Sequence, residues 1–111
     1  MTVKLKAFLK AAPGLSRERF VDHYETRHVA LIREIMPGII DYRRSYLPEA
    51  VGGFDVVTEI WFDSRDSFEH AMGLATSEAG AARIAEDESI FLDRSATIVA
   101  FPDERGGPLD R

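Results

Sequence analysis

Residues 2–10 alternate between apolar and polar side chains, and this period of two predicts a β-strand. The apolar side of this strand is formed by Val3, Leu5, Ala7 and Leu9. Pro13-Gly14 then breaks the chain.

A helical period replaces the alternation after this break. The residues at helical spacing are Phe20, Tyr24, His28 and Leu31. Ser16 is a suitable N-cap, and Pro37-Gly38 ends the helical region. The pattern therefore predicts a first helix whose apolar face includes a histidine.

Residues 39–47 and 54–62 predict two further strands, separated by Pro48 and the Gly52-Gly53 pair. On the earlier strand, one face is shared by Ile40, Tyr42, Arg44 and Tyr46. On the later strand, one face is shared by Asp55, Val57, Glu59 and Trp61, and the alternate residues from Phe54 to Phe62 form a mostly apolar face. We expect both faces of this strand to be at least partly covered.

A second helical region follows, with Asp63 or Ser64 as its cap. Its buried stripe is predicted to contain Phe68, Ala71 and Met72. The Ala-rich stretch 77–87 predicts more helix, and residues 95–101 predict the last strand. The remaining tail is polar and contains Pro and Gly.

The element order is therefore β-α-β-β-α-β, which predicts an α+β, ferredoxin-like fold with a four-stranded antiparallel sheet. Helices would cover one face of the sheet, and the other face would need a partner. A second copy related by a two-fold axis would cover both sheets, so we expect a homodimer. We assign residues 1–102 to one domain and residues 103–111 to a polar tail.

Composition narrows the possible partners. The formal net charge is −5, which argues against nucleic acid, because phosphate binding needs a basic surface. The chain has no cysteine, so disulfides and thiolate chemistry are excluded. The N-terminal segment lacks the apolar core of a signal peptide, and no apolar run approaches membrane-spanning length. We expect a cytoplasmic protein that does not bind membranes.

Four segments, in order, resemble the EthD-domain family over nearly the whole chain. They are LKAFLKAAPGLSRERFVDHYETRHVALI, MPGIIDYRRSYL, FDVVTEIWFDSRDSFEHAM and SIFLDRSATIVAF. The first carries a PGLS-type turn and then an aromatic residue, Tyr24, four positions before His28. The second resembles the family's PG-hydrophobic-x-x-Tyr segment and ends at Tyr42.

The two later segments match as well. The strand from Phe54 to Ser64 resembles the family's FDGVAELWFDS-like strand, with Val56 in place of the usual glycine. Phe91 and Asp93 resemble the family's Phe-x-Asp element before the last strand. The resemblance implies a dimeric α+β barrel. It does not imply one reaction, because this group includes cofactor-free monooxygenases, isomerases, cyclases, dehydratases, haem enzymes and proteins of unknown activity.

His28 is the leading candidate for chemistry. A histidine takes and returns a proton near neutral pH, and this one is predicted to lie on the helix face turned toward the sheet. The alternative is a buried histidine that bonds a backbone carbonyl. The resemblance also places a histidine here, next to Tyr24 on the same stripe.

Tyr42 and Tyr46 alternate on one strand face, with Arg44 between them. Phenolic hydroxyls can hold an enolate oxygen, and an arginine can bind a carboxylate. The alternative is that the tyrosines only pack. Tyr42 is the preferred second catalytic residue because the family pattern has a tyrosine at that position.

Glu59 and Trp61 are further candidates for binding a substrate. A carboxylate on a covered sheet face must be paired or must have a raised pKa. The alternative for Glu59 is an ion pair with a lysine of the first strand or with a residue across a dimer interface. Trp61 would either form the floor of an aromatic pocket or belong to the core.

No metal or organic cofactor is expected. The histidines are scattered, and there is no HExxH, GxGxxG or P-loop motif. His23 precedes Tyr24 by one residue, so it is predicted to point away from the apolar stripe into solvent.

Two classes of function remain open. The first is a cofactor-independent lyase, isomerase or cyclase/dehydratase that transfers protons on a small cyclic or aromatic carbonyl compound, or an oxygenase that uses the same base. The second is a non-catalytic dimer that binds a small molecule or assists a catabolic or biosynthetic pathway. The depth of the cavity beside His28, and the presence of Tyr42 in it, would distinguish them.

Overall fold

Four strands form one antiparallel sheet in the order β2-β3-β1-β4. They are β1 (Val3–Leu9), β2 (Ile39–Val51), β3 (Phe54–Phe62) and β4 (Ile98–Ala100). The computed structural model describes residues 2–110, apart from the side chains of residues 49–51. The α+β, ferredoxin-like fold predicted from the sequence is confirmed.

Four α-helices lie between the strands. They are α1 (Arg17–His23), α2 (Val29–Ile35), α3 (Arg65–Ala75) and α4 (Glu78–Phe91). Ser16 and Ser64 cap α1 and α3 as predicted, because each side-chain oxygen accepts a hydrogen bond from a first-turn amide. Ser77 caps α4 in the same way. Helix α4 extends four residues beyond the predicted end at Asp87.

The first helical region is not one regular α-helix. Residues Tyr24–His28 form a π-helical segment, here called the π-turn, between α1 and α2. The amide of Val29 donates to the carbonyl of Tyr24, five residues earlier. Such turns are rare and occur mostly within α-helices, often at functional sites. The sequence predicted the helix but not this interruption.

Strand β2 runs past its predicted end at residue 47 and includes Pro48. It lies at the edge of the sheet, where a residue without an amide hydrogen is tolerated. The pairing with β3 also shifts between Tyr46 and Val51, so the proline falls in an irregular part of the ladder.

The last strand is shorter at both ends than the range 95–101 predicted from the sequence. Residues Arg94–Ala96 form a short 3₁₀ helix, and β4 contains only Ile98–Ala100. The Asp93 carboxylate accepts hydrogen bonds from the Ser95 amide at 3.2 Å and the Ser95 hydroxyl at 2.6 Å. This local bonding competes with strand pairing and delays the start of β4.

Alternation along β1 and β3 gives the sheet two different faces. The helix-covered face contains the buried residues Leu5, Ala7, Leu9, Val56, Thr58, Ile60 and Phe62. The other face, here called the open face, contains the half-buried residues Lys4, Lys6, Phe8, Val57, Glu59 and Trp61. The core therefore lies between the helices and one side of the sheet.

The chain after β4 is exposed over residues 101–110. The Glu104 carboxylate nevertheless pairs with Lys4, and the Phe101 ring packs 5.5 Å from that of Phe68. The predicted domain begins at Met1 and the predicted tail ends at Arg111, and both of these residues lie outside the described part of the chain. No helix in the described part of the chain is long and apolar enough to cross a membrane.

Candidate functional site

A pocket of about 130 Å³ lies between the helix-covered face and the helices, here called the His28 pocket. Its apolar walls are Leu5, Ala7, Leu9, Ile32, Met36, Ile60 and Val99. Its polar residues are Tyr24, His28, Tyr42, Thr58, Glu88 and Thr97. A mostly apolar cavity with a few convergent polar groups is the usual form of a small-molecule site.

The imidazole of His28 is held by a carboxylate rather than by a backbone carbonyl. Its Nδ1 lies 2.8 Å from Oδ2 of Asp87, and a carboxylate only accepts hydrogen bonds, so Nδ1 carries the hydrogen. Among the described residues, none bonds Nε2, and this nitrogen is not sealed from solvent. His28 is 4% exposed, so Nε2 is a proton acceptor at the wall of a sheltered pocket.

Burial lowers the pKa of His28 below its ordinary value, and the hydrogen bond that His28 donates to Asp87 acts in the opposite direction. The imidazole is therefore neutral at physiological pH. A neutral imidazole with one free nitrogen is the form required of a general base.

Asp87 also bonds a second histidine. Its Oδ1 lies 2.9 Å from Nε2 of His23, whose side chain is only 13% exposed. The prediction that His23 points into solvent is therefore wrong. In a regular α-helix, residues five apart lie about 140° from each other around the axis. The π-turn between His23 and His28 widens the helix, so that both reach the same carboxylate.

Three hydroxyl groups form a chain across the pocket. The Tyr24 hydroxyl lies 2.5 Å from Oγ1 of Thr58 and 3.2 Å from the Tyr42 hydroxyl. Burial raises the pKa of Tyr42, and burial also raises that of Tyr24. Both phenols therefore stay protonated, and Tyr42 is a hydrogen-bond donor rather than a base. The Tyr24 ring also meets the His28 ring edge to face, with centroids 5.2 Å apart.

Glu88 adds a carboxyl group to the pocket wall. Burial raises its pKa, and Arg94, whose Nε lies 3.3 Å from Oε1, opposes this. Residues Ile84, Asp87, Glu88 and Phe91 occur at helical spacing along α4. This spacing is the signal in the sequence that places both acids on the inner face of the helix.

Arg44 and Tyr46, both predicted to bind substrate, do not line the His28 pocket. Both donate hydrogen bonds to the carboxylate of Glu25 instead. The carboxylate oxygens lie 2.8 Å from Nε and 2.6 Å from Nη2 of Arg44, and 2.6 Å from the hydroxyl of Tyr46. The Arg44 hydrogen bonds lower the pKa of Glu25, so this cluster stays ionised. The guanidinium of Arg44 also packs over the Tyr42 ring, 4.8 Å from its centre.

Glu59 and Trp61 lie on the open face, on the other side of the sheet from His28. Glu59 pairs with Lys4 of the first strand, which was the alternative given for it above. Lys4 and Arg43 lie 4.7 and 5.3 Å from the Trp61 ring. The alternation along this strand separates a mostly apolar face from a mixed face, but it does not show which of them meets the helix that carries His28.

A larger cleft of about 430 Å³ borders Trp61, Arg65 and the start of the tail. Its lysine, Lys4, already pairs with Glu59 and Glu104, and the cleft contains no histidine or tyrosine. The His28 pocket is the better candidate because it combines a base, hydrogen-bond donors and shelter from water. In the described part of the chain, no three histidine or acidic side chains converge as metal ligands.

The family model for the EthD domain matches residues 12–95. An ethyl tert-butyl ether D (EthD) family protein from Bacillus halodurans is 25% identical, and the match covers 95% of this chain and 100% of that protein with a TM-score of 0.67. Curated proteins give no significant match.

Two more distant structures share the fold. SnoaB from Streptomyces nogalater, described as a cofactor-independent oxygenase, is 14% identical over 96% of this chain and 95% of its own, with a TM-score of 0.64. A protein from Bacteroides fragilis, described as dimeric with a ferredoxin-like fold and of unknown function, is 12% identical over 91% and 94%, with a TM-score of 0.60. The family match covers most of the chain, in agreement with the four segments and the fold, and the chain therefore belongs to the EthD-domain family.

Proposed function

We propose that this chain is a cofactor-independent enzyme that transfers protons on a small, uncharged cyclic carbonyl compound, with His28 as its acid/base group. The observation that carries the proposal is the His28 pocket itself. There, a neutral imidazole held by Asp87 faces the same cavity as the protonated hydroxyl of Tyr42.

The two groups have complementary roles. Nε2 of His28 takes a proton from the carbon next to the carbonyl group, and the electrons of that C–H bond form the C=C bond of an enolate. The Tyr42 hydroxyl donates to the carbonyl oxygen, where negative charge develops. Tyr24 and Thr58 fix the position of that hydroxyl through their own hydrogen bonds.

The protonated His28 then completes one of several reactions. Returning the proton to another carbon gives an isomerase. Donating it to a hydroxide that leaves from the neighbouring carbon gives water and an alkene, which is a dehydratase. In a retro-aldol lyase, His28 instead takes the proton of a hydroxyl group on the carbon next to the α-carbon, the C–C bond between these carbons breaks to give a carbonyl fragment and an enolate, and the protonated His28 then protonates the enolate carbon.

The size and lining of the pocket restrict the substrate. A dry apolar cavity of about 150 Å³ holds one benzene molecule, and the His28 pocket has about 130 Å³. Its lining contains no arginine or lysine, so nothing in it favours an anionic substrate. A single uncharged ring is the ligand that fits.

Deuterium exchange tests the proposal without knowledge of the natural substrate. Cyclohexanone in D₂O would be followed by proton NMR as its α-hydrogens exchange. We expect exchange above the buffer rate, a loss of roughly 10²–10⁴ in the protein-dependent rate for His28→Gln and a loss of roughly 10²–10³ for Tyr42→Phe. His70→Gln is the matched control, because His70 is an exposed histidine on α3 and should leave the rate unchanged.

Equal exchange by the wild type and His28→Gln would contradict the role of His28. Binding of cyclohexanone in the pocket without exchange would instead support the non-catalytic, small-molecule-binding alternative. An oxygenase is the other alternative, and the shared fold of SnoaB is its support. In that case the same enolate would consume O₂ to form a hydroperoxide, and an oxygen electrode would detect the uptake with an electron-rich ring ketone.

We also propose that the chain forms a homodimer through the open face. Ile98, Phe8 and Val57 are neighbours across three strands there and form an apolar row. Beside it lies a charged row that contains Lys6, Glu59 and Arg43. Ile98 is 51% exposed at the edge of the sheet, where a second copy would cover it. The dimeric protein from Bacteroides fragilis, which shares the fold, is consistent with this arrangement.

A further inference from the structure

The carboxylate of Asp87 lies between two histidines that differ in their access to solvent. His28 faces the pocket and has a 5% exposed side chain, while His23 lies on the outer side and is 13% exposed. The two Asp87 oxygens are 2.8 and 2.9 Å from the histidine nitrogens, so each oxygen has its own histidine.

The ring of Phe91 packs against both imidazoles. Its centroid is 4.7 Å from that of His23 and 4.9 Å from that of His28. His23 also lines a surface cleft of about 230 Å³ that includes Arg19, Asp22 and Arg27. His23 is therefore the member of the trio that connects to the surface.

We propose that His23 is a positioning residue for the His28 base: it orients the shared Asp87 carboxylate and, by gaining or losing a proton, changes how much negative charge Asp87 offers to His28. The inference rests on the proposed function, because it assigns a role in controlling the same base.

The argument is electrostatic. When His23 is neutral, the full charge of Asp87 favours a proton on His28. When His23 is protonated, it forms an ion pair with Asp87, and a second proton on His28 is disfavoured. Burial is the main cause of the lowered pKa of His28, Asp87 opposes it, and the charge of His23 lowers it further. The two histidines are therefore coupled through the carboxylate that they share, since a proton on one disfavours a proton on the other.

The other charged groups nearby do not replace this coupling. Glu88 is beside the pocket but is paired with Arg94. Arg19, Asp22 and Arg27 border the outer cleft, are exposed, and act on His23 across solvent.

NMR titration of the His28 ring tests the inference without any substrate. The variant is His23→Gln, whose amide can still donate to Asp87 but cannot take up a proton. We expect the pH midpoint of His28 to move upward in this variant, because the competing charge is gone while Asp87 remains. We expect the midpoint to move downward in His23→Lys, which places a permanent positive charge beside Asp87. His70→Gln, on the exposed side of α3, should leave the midpoint unchanged.

Linkage adds a reciprocal check, because coupling between two sites acts equally in both directions. The coupling free energy is the same in both directions, but the histidine that takes the first proton shows the smaller change, so His28→Gln should move the midpoint of His23 upward by no more than His23→Gln moves that of His28. An unchanged His28 midpoint in a folded His23→Gln protein would overturn the inference. Failure of deuterium exchange with the titration shifts present would instead count against the proposed function alone.

Discussion

At the scale of single residues, one physical cause acts differently on the two main groups of the pocket. Burial lowers the pKa of His28 and raises that of Tyr42. Since the charged form is disfavoured in both, the imidazole is kept neutral as a base and the phenol is kept neutral as a donor. Both groups are therefore in the protonation state that enolate chemistry needs before a substrate arrives.

The buried imidazole also predicts that the protein is sensitive to acid. An unfolded chain takes a proton on His28 near the ordinary pKa of 6.5, whereas the folded protein resists until a lower pH. The contribution of His28 to the free energy of unfolding is therefore complete above that ordinary pKa. It is lost as the pH falls toward the lower pKa that His28 has in the folded protein. Each pH unit in which only the unfolded chain holds this proton is worth about 1.4 kcal/mol.

Urea unfolding at about pH 7 and about pH 5 would measure this loss, because only His titrates in this range at its ordinary pKa. We expect the wild type to lose more stability between the two than His28→Gln, which has no proton to gain at this position. Parallel losses in the two proteins would show that other groups cause the acid sensitivity.

At the scale of elements, the sequence predicts most of the framework because local patterns determine it. Alternation identified β1 and β3, and Ser16 and Ser64 marked two helix starts. The π-turn left no such pattern, since Tyr24 and His28 are spaced equally well for a regular α-helix. Asp87 was missed for a related reason, because its partners come from another helix.

The junction between α3 and α4 is a second element-scale feature, and it sets the position of Asp87. A Cβ atom on Gly80 would lie 2.1 Å from the backbone oxygen of Leu74, closer than such atoms approach. We expect Gly80→Ala to push the two helices apart and to cost about 1–3 kcal/mol of unfolding free energy. Gly73→Ala is the matched control, because nothing lies within 4 Å of its Cβ position.

In an exposed helix position such as Gly73, alanine should stabilise by about 0.5–1 kcal/mol. Thermal or urea unfolding would compare the two variants. A Gly80→Ala protein as stable as Gly73→Ala would contradict the close approach of the helices. Loss of the His23 and His28 titration coupling in Gly80→Ala would further show that the junction positions Asp87.

At the scale of the whole molecule, the sheet divides the predicted site residues into two groups. His28, Tyr24 and Tyr42 lie together, while Glu59 and Trp61 are on the open face. Period-two alternation determines which residues share a face but not which face meets the helices. That assignment depends on contacts between distant parts of the chain, and a single sequence does not display them.

The open face gives the prediction for assembly. We expect the wild type to have the mass of a dimer by light scattering, and Val57→Lys to have that of a monomer, since a charge would replace the middle of the apolar row. Leu74→Lys is the control, because Leu74 is a 40% exposed apolar residue on α3. A wild type of monomer mass at micromolar concentration, or a dimeric Val57→Lys, would contradict the proposed interface.

The π-turn also bears on how relatives of this chain can change by insertion and deletion. Removing one residue from Tyr24–His28, such as the exposed Thr26, would let α1 and α2 join as a regular helix. Everything after the deletion would keep its orientation relative to α1, because a π-turn accommodates one extra residue in an otherwise regular helix. The two histidines would then be four residues apart, about 40° from each other around the axis, and one carboxylate on α4 would still reach both. We therefore expect related sequences with a one-residue gap at this point to be able to keep both histidines and the carboxylate on α4, with a regular helix in place of the π-turn.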